Sequence, residues 1–180
     1  MRLLKALPGI LGPLLAVLAG MALLLRAADY LPTLWLRQVL PEVERFASVR
    51  ELEARLGTKL LLPAYFPEYL AWPPARIELY HWPGLEVRIF ISGREHQQTQ
   101  LIIYQLLSAE VALPADPGLV LAEKNIEIRG QRAQLAWIRN RAGQNWCRLG
   151  WQGAQGRMVL LTKLPAAELV RIAQSMRAQQ

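Results

Sequence analysis

Two histidines, one cysteine and a run of spaced glycines are the residues whose types could do chemistry in this sequence. A metal centre needs His, Cys or carboxylate ligands that converge, usually at short spacings on one element. His81, His96 and Cys147 are scattered and share no ligand spacing, so edge imidazoles and a buried thiol are expected, with no metal and no other cofactor. Gly150-x-x-Gly153-x-x-Gly156 resembles a phosphate cradle, but a cradle is followed by a helix N-terminus, and here a strand pattern follows. The expectation is a turn. No Gly-x-Ser-x-Gly elbow occurs, and two histidines leave little material for a Ser-His-Asp constellation. Glu78 near His81 reads as strand decoration. Cys147 alone permits neither an internal disulfide nor a multi-cysteine zinc site. The residue types nominate no catalytic group, and a non-enzymatic protein is expected.

The elements that would present a surface are more legible than any reaction. The 180 residues leave room for one ordinary domain and an appendage. With 53% hydrophobic and 19% charged residues the chain is not a disordered polar one, and its 12 Gly and 12 Pro are too dispersed for a collagen-like repeat.

Ala6 to Leu25 is a run of twenty uncharged residues containing Leu15 near its middle; as a helix it would span about 30 Å, the thickness of a bilayer core. Pro13 would bend such a helix. The competing reading is a cleaved signal peptide, whose apolar core is normally about 7–15 residues; cutting near Gly20-Met21-Ala22 would leave Leu23-Leu24-Leu25 at the new terminus. The expectation is a retained single-pass anchor over residues 1–28 in a bacterial inner membrane, with the remainder periplasmic or extracellular. Residues 29–47 then read as a juxtamembrane or interfacial helix, with Trp35 and Arg37 suited to the headgroup zone, or with its Trp and Leu residues packing instead on the domain or on a neighbouring subunit.

Residues 48–180 read as an extracytoplasmic α+β domain. Ser48-Val49-Arg50-Glu51 is a capping box opening a short helix, with Val49, Leu52 and Leu56 on one face and Gly57 as its stop. The stretch from Leu60 to Pro67 and Trp72-Pro73-Pro74 is apolar, stiffened by proline, and expected to wrap onto the core. From residue 76 the period becomes two. Leu85 to Ile91 and Leu101 to Leu106 suggest a hairpin, and residues 109–123 a long connection before Ile126 and Ile128 resume alternation. Strands over 131–139, 145–151 and 157–163 follow as an antiparallel meander. Pro165 would open a closing helix striped by Leu169, Ile172, Ala173 and Met176.

Charge is unevenly distributed. Residues 124–180 hold ten basic side chains against two acidic, a net of +8, while residues 27–123 carry −4. Arg139, Arg141, Arg148 and Arg157 around successive hairpins would form a positive sheet face for an acidic protein surface or anionic lipid, or else a solvated face. Trp146, of opposite parity to Cys147, Leu149 and Trp151, is the aromatic candidate for contact on that face; Trp137 and Trp151 are expected in the core. An outward-facing anchored module excludes nucleic acid as a partner.

Leu149-x-Trp151, a glycine-bearing hairpin, a strand, and then Glu168-Leu169-Val170-x-Ile172-Ala173-x-Ser175-Met176 resemble the C-terminal signature of a family of unknown function among bacterial envelope proteins. That family is broadly similar to the C-terminal regions of MucB/RseB-type regulators and to lipoprotein-carrier-like sheets. Leu62-Pro63-x-Tyr65-Phe66-Pro67 resembles its opening, so the likeness covers residues 48–178. It carries packing residues and no catalytic motif, and the chain has no second recognisable domain such as a sigma-binding zinc segment. The resemblance implies a membrane-tethered α+β module, a curved antiparallel sheet packed by short N- and C-terminal helices, that docks on a membrane complex or envelope partner. The alternative is a carrier or sensor sheltering a lipid or other apolar ligand in the sheet concavity.

Overall fold

Alternating apolar side chains between residues 76 and 162 lay down one antiparallel sheet. The computed structural model describes residues 20–22, 26, 42–81, 84–95, 97–108 and 118–178. In chain order the elements are β1 (Val43–Phe46), α1 (Val49–Leu56), β2 (Leu61–Pro63), β3 (Arg76–Tyr80), β4 (Glu86–Ser92), β5 (Thr99–Leu106) and β6 (Gly118–Ile128). They continue with β7 (Gln131–Asn140), β8 (Asn145–Gly153), β9 (Gly156–Thr162), α2 (Ala166–Gln174) and β10 (Met176–Ala178). Eight strands form one sheet in the order β1-β3-β4-β5-β9-β8-β7-β6, and β2 and β10 form a separate two-stranded one. Two meanders therefore meet where β5 lies against β9, from Leu101↔Thr162 to Leu106↔Arg157.

One face of the large sheet is the core. Ile77, Ile89, Ile103, Leu149 and Leu160 project from it with at most 2% exposure, against Leu52 of α1 and Leu169 and Ile172 of α2. The helices form as local chemistry dictates. Ser48 Oγ accepts from the Glu51 amide, the Glu51 carboxylate accepts from the Ala47 amide, and Gly57 closes α1 at φ +67°. The small sheet is fastened to this face by buried Gln105, whose amide accepts from Leu61 N at 3.1 Å and donates to Leu61 O at 2.8 Å. α2 is tied in turn by Ser175, whose hydroxyl accepts from Tyr65 N, and by Tyr65, which donates to Glu168. At the β8–β9 turn Gly156 has φ +113°, and a Cβ there would collide with the Leu106 carbonyl, so glycine is required both for the turn and for the approach to β5.

Three expectations are corrected. The balance is not that of an α+β domain following a transmembrane helix: strands carry the fold, and α1 and α2 have 8 and 9 residues. At about 1.5 Å per residue these helices reach about 12–14 Å, less than half a bilayer core. Among the described residues no helix is long and apolar enough to cross a membrane, which overturns the single-pass anchor and the inner-membrane location drawn from it. Uncharged length is a composition criterion that carries no information on helix continuity. Ala6, Leu15 and Leu25, the residues marking that anchor, lie outside the described residues, as do Trp35 and Arg37. The compact unit of the sheet is Pro41–Gln180, and its first strand falls inside the stretch assigned to an interfacial helix.

Leu160 sits at 0% exposure between β5 and β8. Leu160→Ala is expected to lower unfolding free energy by about 2–5 kcal/mol, and Ser48→Ala by about 1 kcal/mol, both read from urea denaturation. Equal losses would contradict this placement of the core.

Candidate functional site

The opposite face of the sheet is where charge and aromatic rings gather, and the register shows how. Because side chains alternate, Glu78, Arg88, Tyr104 and Val159 stand in one row across β3, β4, β5 and β9, while Arg76, Phe90, Ile102, Leu161 and Arg148 stand in the next. The apolar side chains of both helices belong to the other face. Within the rows the charges are paired. Glu78, with 5% of its side chain exposed, takes Arg76 at 3.3 Å, Arg45 at 3.4 Å and the Tyr80 hydroxyl at 3.0 Å. Glu86 is equally buried and is held by Arg88, whose guanidinium lies 3.8 Å from the centre of the Tyr80 ring and 5.5 Å from that of Tyr104. Arg76 stacks over Phe90 at 3.9 Å.

These contacts shift the titrating groups in consistent directions. Burial raises Tyr80, reinforced by its hydrogen bond to Glu78, and burial raises Tyr104. Burial opposes the charge on Arg88, but the Glu86 carboxylate outweighs it and the guanidinium is held above its usual value. At the β1 edge, a hydrogen bond from His81 at 2.7 Å and the charge of Arg55 lower Glu44. Burial pushes the Cys147 thiol up, on the core side of β8.

The residues nominated for a basic face divide. Arg148 and Arg157 do project on this face. Arg148 reaches Glu123 at 3.4 Å and retains 11% side-chain exposure. Arg139 follows Ile138 and so turns to the other side, bonding Asn145 at 3.3 Å, and Arg141 lies in the β7–β8 turn. Trp146 is on the charged face as its parity requires, but it is part-buried against Ala136, Ile138 and Leu161, with Lys163 Nζ 5.1 Å from its ring. Its Nε1 finds no acceptor among the described residues. Trp151 fills the core and Trp137 packs against it. Glu78, which reads in the sequence as strand decoration, is one of the most enclosed charges among the described residues. Arg76, Glu86, Arg88 and Tyr104 belong to no motif, and their signal in the sequence is a polar group at alternate positions of strands whose other face is apolar.

Between β6, β7, β8 and the start of β9 the same face sinks into a depression of about 950 Å³, lined by Asn125, Arg132, Gln134, Gly150, Gln152 and Arg157. No group of three or more His, Cys, Asp or Glu suited to a metal occurs among the described residues; His96 lies outside them. The spaced glycines take separate roles: Gly153 and Gly156 flank the β8–β9 turn, and Gly150 floors the depression.

The pairs differ in what their loss exposes. Arg88→Ala leaves Glu86 buried without this partner and is expected to destabilise the fold by about 3–5 kcal/mol, whereas Arg45→Ala removes a side chain that is 74% exposed and is expected to change stability by at most about 1 kcal/mol. Thermal and urea unfolding of both variants test this; an insensitive Arg88 would refute the buried pair. No family model matches this chain, and no curated protein or solved structure matches it.

Proposed function

We propose that this chain is a non-enzymatic accessory or regulatory protein that docks on a partner protein through the arginine- and aromatic-bearing face of its sheet. The observation carrying the reading is the contrast between the two faces. A carrier needs an apolar hollow between sheet and closing helix, and there Leu149, Leu160, Leu169, Ile172 and Ala173 leave no exposed surface. An apolar notch of about 340 Å³, lined by Trp137, Trp146, Leu164 and Pro165, stands at the start of α2, at the small end of the range for ligand pockets. The other face holds Arg and Tyr in fixed positions, the residue types that anchor protein interfaces. Such preset side chains lose little further freedom on contact. The likeness to envelope regulators supports the same reading as part of the proposal, and its residues Leu149, Trp151, Leu169, Ile172 and Met176 all serve packing.

A photo-crosslinking amino acid at Gln152, exposed on the charged face, should give one discrete protein adduct in the cells that make this protein; the same group at Arg50, exposed on α1, should give none. Absence of an adduct at position 152, or stoichiometric lipid in the purified protein instead, would reject docking in favour of the carrier.

A further inference from the structure

Arg132 and Arg157 differ from every other arginine placed on the charged face. Arg45, Arg76, Arg88 and Arg148 each have a carboxylate within 4.0 Å. Neither Arg132 nor Arg157 has an ion pair or side-chain hydrogen bond among the described residues, yet both line the depression. The register brings them together: Gln152 opposes Arg157, and Arg132 lies one residue beyond the Ala133↔Trp151 pair, hence opposite Gln152. Their backbones are two strand spacings apart, about 10 Å, with Gln152 between them.

The floor is open because Gly150 has no side chain. Its φ is not in the left-handed region, and a Cβ there would meet Met158 O and Val159 Cγ2 at 3.8 Å, an ordinary contact. The backbone therefore does not require glycine at this position. What glycine provides is room.

Resting on the docking reading, we propose that this depression is the receptor for an acidic segment of the partner protein, with Arg132 and Arg157 taking a carboxylate between them. Arginine forks suit carboxylate and phosphate alike. Two features select the carboxylate. Glu127 opposes Arg132 and also lines the depression, so a doubly charged phosphate meets greater repulsion than a singly charged carboxylate. Asn125, Gln134 and Gln152 present carbonyl acceptors as well as N–H donors, which match the backbone of an extended chain and leave phosphate oxygens with unmatched acceptors. The volume admits several residues rather than one small anion.

The test is fluorescence anisotropy of a labelled hexaglutamate peptide with the full-length chain. Saturable binding is expected, weakening with added salt. Arg132→Ala, Arg157→Ala and Gly150→Val should each weaken it at least tenfold, the last by filling the floor while a β-branched residue suits the strand. Arg141→Ala removes the same charge from a turn outside the depression and should leave binding within twofold, separating a local receptor from overall basicity. Circular dichroism melts verify the fold of each variant, and the exposed Arg132 keeps the test valid if Gly150→Val fails to fold. No saturable binding, equal loss in Arg141→Ala, equal affinity for free glutamate, competition by inorganic phosphate at the same concentration, or preference for phosphatidylglycerol vesicles would overturn the proposal. A crosslinked partner at Gln152 together with failed hexaglutamate binding would retain docking and discard the acidic receptor.

Discussion

The ladder between β5 and β9 is the constraint on which the other arrangements depend. Each meander could form locally, but neither alone has two neighbours for its last strand, and the six-residue pairing from Leu101↔Thr162 to Leu106↔Arg157 joins residues more than fifty positions apart. Such a contact is opposed by the entropy of closing a long loop, which grows slowly with length. It is favoured by what it buries: Leu101, Ile103 and Leu160 are brought to zero exposure on one side and Val159 to 3% on the other. Thr162 finishes the join by donating to Gln100 O at 2.7 Å and accepting from Leu164 N at 3.1 Å, which delivers the chain to α2.

Charge is tolerated deep on the face away from the helices through partners supplied by β1, β3 and β4. A carboxylate removed from water is strongly disfavoured unless its oxygens are occupied. Glu78 meets the requirement with two guanidiniums and a phenol, the Arg45 and Arg76 side chains remaining 74% and 49% exposed, so these arginines stay hydrated while the carboxylate does not. Arg88 reaches Glu86 from two residues along the same face of β4, with Tyr80 of β3 and Tyr104 of β5 standing on either side of the guanidinium. Pairing β5 with β9 fixes Tyr104 and extends the same rows toward Arg148 and Arg157.

Where the sequence carries a strong period, it reveals the elements. Residues 131–139, 145–151 and 157–163 show alternation over enough positions to identify β7, β8 and β9, and the Ser48 capping box identifies α1 through side-chain chemistry independent of tertiary contacts. Short or edge strands escape. β1 has four residues, β2 and β10 three each, too few to establish a period, and Met176 fits a helical stripe as well as the start of β10. The first half of β6 reads as a connection because a bulge between Val120 and Ala122 shifts its parity and its residues 121–125 are exposed, so no apolar alternation is imposed. The site was partly legible for the same reason: parity placed Trp146 and Arg148 on one face, but which arginines had carboxylate partners depends on strands that are remote in sequence.

Net charge is consequently a poor guide to where a partner is recognised. The +8 of the last third of the sequence suggests a single basic surface, yet folding spends it in several directions. Arg129 donates to the Met176 carbonyl, Arg171 stacks 4.1 Å from the Tyr65 ring, Arg139 bonds Asn145 and Arg148 bonds Glu123. A paired guanidinium has already met its hydrogen-bonding needs, and a new anion gains from it only by displacing what it holds. An unpaired one beside a recess gains directly, since only water competes for it. On the proposed reading, response to an acidic partner is set by Arg132 and Arg157, which form no ion pair within 4.0 Å among the described residues, and by the missing side chain at Gly150 that lets a chain approach them.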